Sequence, residues 1–122
     1  IKEKPEEVKA FLRAWIRAEA FLIDNQEECV KINEKYLKLD EEQSRIMLLE
    51  TNQVFESDPK SNGVRYMWEL LGKLNYAETE GIDVENHINA ALYKEALDEL
   101  QQKEPDNKRY KEFAERYVKY NQ

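Results

Sequence analysis

The sequence predicts an all-α fold of about six helices with one short extended segment. Three observations carry that prediction. Apolar residues recur at spacings of three, four and seven along much of the 122 residues, as one face of a helix requires. Helix starts are marked by Pro, Asn or Asp followed closely by paired glutamates, at Pro5-Glu6-Glu7, Asn25 before Glu27-Glu28, and Asp40-Glu41-Glu42. Only Thr51 to Glu56 has mild strand character, through Val54 and Phe55, and so short a stretch cannot make a sheet alone.

The strongest helical pattern is Pro5 to Asn25. Val8, Phe11, Leu12, Trp15, Ile16, Leu22 and Ile23 form a wide apolar stripe, with Ala14 and Ala18 between them. Burying Phe11, Leu12, Trp15, Ile16 and Leu22 would contribute about 2 kcal/mol each, so this is the expected central helix. Lys9, Arg13 and Arg17 repeat every four residues on another face, where solvent is expected. Asn25 is the expected cap of a second helix, with Cys29, Val30, Ile32, Tyr36 and Leu37 as its apolar face. Asp40 starts a third helix, and its spacing to Gln43 is that of a reciprocal capping pair; Ile46, Met47 and Leu49 are expected inside.

Ser57 to Gly63 (SDPKSNG) holds the densest turn signal in the sequence. It leads into a fourth helix from Val64 toward Gly81, with Val64, Met67, Trp68, Leu71 and Leu74 inside and Gly81 as a left-handed cap. Asp83 or Asn89 starts the next helix, whose face is Ile88, Ala91, Leu92, Ala96 and Leu97. Pro105 ends it, and a last charged helix carries Tyr110, Phe113, Ala114 and Tyr117.

The totals bound the function. Residues 1–122 read as a single helical unit, and an opening IKEKPEE without Met or signal-peptide pattern reads as the middle of a longer protein. With 41% hydrophobic and 37% charged residues the protein is too apolar for disorder, and no apolar run approaches the roughly 20 residues of a membrane span. A net charge of −7, with scattered Lys and Arg, argues against nucleic acid and anionic lipid as partners.

Catalytic and metal chemistry fail on inventory. A di-metal helical bundle needs paired Glu-x-x-His motifs, and zinc needs more ligands than Cys29 and His87 provide. No sequence context supports those two as a nucleophilic pair; Cys29 reads as a small core residue and His87 as a helix-start or surface residue. The first-turn glutamate pairs are explained by helix dipoles, and the isolated glycines build no phosphate loop. No cofactor is expected, and the sequence does not read as that of an enzyme. Trp68, Leu71 and Gly72 match part of the tetratricopeptide pattern, but Asn75 stands where its Tyr belongs and no copy lies about 34 residues away. Asn62, Tyr66 and Trp68 are the candidate ligand-binding residues, because a turn-rich loop entering a helix offers amide donors to anions. Core packing is the competing account of the same aromatics.

Taken in order, several segments resemble the C-terminal part of periplasmic-type substrate-binding proteins of the nitrate, sulfonate, taurine and thiamine-precursor group. They are Lys4-Pro5-Glu6-Glu7-Val8-Lys9-Ala10-Phe11-Leu12-Arg13-Ala14-Trp15, Asp24-Asn25-Gln26-Glu27-Glu28 and Lys35-Tyr36-Leu37-Lys38-Leu39-Asp40. Phe55-Glu56-Ser57-Asp58-Pro59, Asn62-Gly63, Met67-Trp68, Asp83 to Asn89 and Tyr93-Lys94-Glu95-Ala96-Leu97 continue the series, which covers residues 1–100. Gln26 stands where the group has Pro, and Lys38 where Gly is common. The resemblance implies the helical tail of a two-lobed α/β protein that works outside the cytoplasm, in the periplasm or as a cell-surface lipoprotein. It also implies a small-molecule ligand, an anion or a thiamine precursor, and an ABC permease as partner. A tail of this kind should leave the Trp15 and Met67–Leu71 faces uncovered and self-associate. The competing reading is a self-contained helical protein–protein interaction module.

Overall fold

The computed structural model describes residues 3–50 and 54–122, which contain six α-helices and no strand. In sequence order these are α1 (Pro5–Asp24), α2 (Gln26–Leu37), α3 (Glu41–Arg45), α4 (Ser61–Lys73), α5 (Ala91–Lys103) and α6 (Lys108–Asn121). A π-helical turn, Ile46–Glu50, follows α3, and a 3-10 turn, Val84–His87, precedes α5. Of the expected extended segment, Thr51, Asn52 and Gln53 lie outside the described residues, and Val54, Phe55 and Glu56 have no regular structure. No described helix is long and apolar enough to cross a membrane. The fold has two compact units, Ala14–Ser57, and Ile1–Arg13 together with Asp58–Gln122.

The larger unit is built on the α5–α6 hairpin. Leu92, Tyr93, Ala96, Leu97 and Leu100 of α5 are buried, as are Tyr110, Phe113 and Tyr117 of α6. Tyr93 and Tyr117 stack with ring centroids 6.0 Å apart. The link between the helices is short because Asn107 caps α6, its side chain accepting from the Arg109 and Tyr110 amides at 3.0 and 3.4 Å. Tyr93 and Leu100 were missing from the expected α5 face, and Ala91, placed on it, is exposed. α4 packs on α6.

The first helix is not the central one. Phe11 is 61% exposed and Trp15 45%, and Ile16 is the one fully buried member of the stripe. At the start of α1 charged side chains, not the stripe, meet α5. Lys9 Nζ lies 3.3 Å from Glu95 and 3.5 Å from Glu99, and Arg13 lies 2.6 Å from Glu99, so Lys9 and Arg13 of the row expected in solvent face α5. Glu6 closes the row 2.8 Å from Lys9, whose side chain is only 13% exposed. Lys9 and Arg13 on α1, and Glu95 and Glu99 on α5, thus repeat complementary charges four residues apart.

Helix ends depart from expectation for local reasons. α4 stops at Lys73 instead of running to Gly81, because Asn75 adopts φ 57°. Its amide donates to the Gly72 carbonyl at 3.0 Å and that of Tyr76 to Leu71 at 2.9 Å, the two bonds of a Schellman motif. Gly81, at φ 76°, serves a separate turn. Neither Asp83 nor Asn89 opens α5: Asp83 caps the 3-10 turn, accepting from Glu85 at 3.1 Å, and α5 begins at Ala91.

In the smaller unit the capping box of α3 is realised, with Gln43 donating to Asp40 at 2.7 Å and Asp40 to Gln43 at 3.3 Å. Asn25 sits at the N-cap of α2 without capping it; its side-chain amide donates back to the Phe21 carbonyl at 3.0 Å. The widened turn after α3 leaves Ile46 exposed, where it was expected inside, while Met47 and Leu49 are half-buried. α2 closes on Lys38 at φ 58°, a left-handed position that lysine holds at a cost and glycine would hold freely. Arg45 forks onto Glu27 at 2.8 and 2.5 Å, and hydrogen bonding to that guanidinium holds the Glu27 carboxyl below the usual carboxylate range. Glu19 is buried, accepting from the Ser57 amide at 2.7 Å and its hydroxyl at 2.5 Å.

Candidate functional site

The turn-rich loop and the helix it feeds form the most developed feature of the larger unit. Asp58 is buried, and its Oδ1 accepts from the Lys60 amide and from Asn121 Nδ2, both at 2.8 Å. Its Oδ2 lies 3.9 Å from Arg116 Nε. Asn121, at the end of α6, turns its Oδ1 to the Ser61 amide and hydroxyl, both at 2.8 Å. The Asn121 amide group thus clasps the loop to α6 and supplies from a distance the cap that Lys60 cannot give. Lys60 itself is left-handed, at φ 48°, with its ammonium 5.7 Å from the Tyr120 ring centre.

The clasp fixes one end of an apolar groove of about 450 Å³. Pro59, Gly63, Val64, Met67, Trp68 and Leu71 line it, with Lys60 at its rim. Val64, Met67 and Leu74, expected inside, are exposed; Met67 is 50% accessible. Ser61 is the one buried residue of α4, so this amphipathic helix shows most of its apolar side to solvent.

Of the three candidate ligand residues, the structure brings only Trp68 into the groove. Asn62 and Tyr66 stand one turn apart on another face of α4, and Tyr66 is 63% exposed. Asn62 accepts from Arg65 at 2.9 Å, and Arg65 forks onto Glu85 at 2.6 and 2.8 Å. Hydrogen bonding to that guanidinium pulls the Glu85 carboxyl below its usual range. Three of the amides expected to meet an anion are engaged within the protein. That of Ser61 reaches Asn121, and those of Gly63 and Val64 reach the Lys60 carbonyl at 2.8 and 3.2 Å. The aromatic positions were visible in the sequence; the part played by Asp58 and Asn121 was not, since two polar residues 63 apart give no local signal.

Elsewhere, a polar hollow of about 900 Å³ at the end of α4 is lined by Gly72 and residues 75–80, and it is open to solvent. No group of three His, Cys, Asp or Glu is placed to hold a metal ion among the described residues. Burial, then the neighbouring Glu28 charge, pushes the Cys29 thiol up, away from the reactive thiolate form. The fold and the groove define a helical protein with an apolar packing face. No family model, curated protein or solved structure matches the sequence.

Proposed function

We propose that the protein acts by packing on further protein, as the helical C-terminal segment of the solute-binding component of an ABC importer. The observation that supports this is the apolar groove of α4, whose walls Val64 and Met67 stand in water. Apolar surface left in water forgoes about 25 cal/mol per Å², which a covering partner recovers. The motif series from Lys4 to Leu97 supplies the identity of that partner as the preceding lobes of a solute receptor. In this reading the whole protein binds a small anion or a thiamine precursor outside the cytoplasm and delivers it to an ABC permease without catalysing a reaction. Trp68 is the ligand-side aromatic, and Asn62 and Tyr66 border the ligand once the other lobes lie over α4.

A second reading draws on the α5–α6 hairpin. Its core of Tyr93, Leu97, Leu100, Tyr110, Phe113 and Tyr117 is complete in itself, as a self-contained helical interaction module requires. One experiment separates the two: the intact mass of the protein made from its whole gene, with calorimetric titration of nitrate, taurine, an alkanesulfonate and a thiamine precursor. A mass well above the 14.6 kDa of residues 1–122, with saturable binding of one of these solutes, is the expected result. A gene product of that same mass that binds none of them overturns the receptor and leaves the module.

A further inference from the structure

We propose that Asn62-Gly63 is a self-modification site, a succinimide-forming pair whose rate is set by the Asn121 clasp. Asn62 is the one asparagine of the sequence followed by glycine, the neighbour that least hinders attack by its own amide nitrogen. It is exposed, so water reaches it. In the reaction the Gly63 amide nitrogen bonds to Asn62 Cγ. The Cγ–Nδ2 bond breaks, and Nδ2 leaves as ammonia with the Gly63 amide proton. Water then opens the ring. Cleavage between Cγ and the Gly63 nitrogen gives aspartate, and cleavage between the Asn62 carbonyl carbon and that nitrogen gives isoaspartate. No oxidant or reductant is needed.

The fold opposes the first step. Gly63 lies in the first turn of α4 with its N–H committed to the Lys60 carbonyl at 2.8 Å, and the helical backbone holds its nitrogen away from ring-closing geometry. Asn62 is held on both sides of its amide, Oδ1 accepting from Arg65 at 2.9 Å and Nδ2 donating to the Gln122 carbonyl at 3.4 Å. That first turn stays wound because Asn121 caps Ser61. Unwinding it, even locally, frees both reacting atoms. The isoaspartyl product lengthens the backbone by one methylene within the turn that carries Pro59, Lys60 and Gly63, so it reshapes one wall of the apolar groove.

The test is peptide mapping by mass spectrometry of the whole protein incubated at mildly alkaline pH. The wild type is measured folded and in urea, and Asn121→Ala and Gly63→Ala folded. Conversion at Asn62 is expected to be much slower in the folded wild type than in urea. Asn121→Ala should raise the folded rate about fivefold, the factor by which losing a cap raises the unwound population. Gly63→Ala should nearly abolish it; the nearest atom to the new Cβ is Lys60 Cβ at 3.9 Å, so the variant keeps the fold. Equal wild-type rates in buffer and urea overturn the proposal, as does undiminished conversion in Gly63→Ala. An Asn121→Ala protein shown folded by circular dichroism, yet no faster than wild type, also overturns it. Should Asn121→Ala not fold, the other two comparisons decide.

Discussion

Removing the Glu19 carboxylate should be among the most damaging single changes in the smaller unit. Its Oε2 accepts from both the amide and the hydroxyl of Ser57, a residue itself only 7% exposed. A hydrogen bond to a charged group contributes about 1.5–3 kcal/mol, and a buried donor left without its acceptor costs about as much again as it gained. Glu19→Ala should therefore lose about 3–5 kcal/mol, against a total near 5–15 kcal/mol for a domain of ordinary stability. Glu19→Gln keeps a neutral acceptor of nearly the same shape and should lose about half as much. The assay is urea unfolding followed by tryptophan fluorescence, with Ser57→Ala completing a double-mutant cycle. Direct contact predicts a coupling of about 1–3 kcal/mol. A Glu19→Ala loss below about 1 kcal/mol, or strict additivity with Ser57→Ala, would refute the assigned role.

Three further outcomes are expected. Lys38→Gly relieves a left-handed cap and should stabilise by about 1 kcal/mol in thermal melts, while Lys38→Ala, which keeps its Cβ there, should not. Gly72→Ala normally strengthens a helix by about 1 kcal/mol. Here the new Cβ would fall 2.2 Å from Thr79 Oγ1, so the sign reverses to a loss of about 1–3 kcal/mol, and Thr79→Ala should recover part of it. The Glu27 and Glu85 carboxyls titrate below their unfolded values because Arg45 and Arg65 hold them. In the window between folded and unfolded values the unfolded protein binds more protons, so their contribution is complete above the ordinary carboxylate range and fades as pH falls through it. Melting temperature against pH should accordingly show a shallower acid slope in Glu27→Gln and Glu85→Gln, and added salt should flatten the wild-type slope.

The helices themselves were legible, because their periodicity and start signals are local. Asp40 with Gln43, and Asn25 before α2, placed those boundaries to within a residue or two. Which way each helix faces was harder, since that depends on partners distant in sequence. Lys9 and Arg13 read as a solvent row until Glu95 and Glu99 are set opposite them, and burial of a charge such as Glu19 runs against every local cue. The left-handed backbone at Lys60 was hidden for a similar reason, being imposed by the turn and not by the residue, whereas at Lys38 the glycine common in the resembled group was a hint. Trp68 stood out as an aromatic beside the turn-rich loop, whereas Asn121, which holds that loop, carries no motif.

The Asn121 clasp also sets an order of events. The bond from Ser61 to Asn121 closes a loop of 60 residues, while the α5–α6 hairpin is assembled from neighbours in sequence. Local pairing is fast and long loop closure is slow, so the hairpin should form first and the start of α4 last. On the ribosome the consequence is sharper. The loop at Asp58 is synthesised early but cannot be locked until residue 121 has emerged, so the apolar side of α4 spends that interval on an unclasped helix. A chaperone that recognises apolar helices would find its target there during synthesis, and should lose part of it once the last turn of α6 closes.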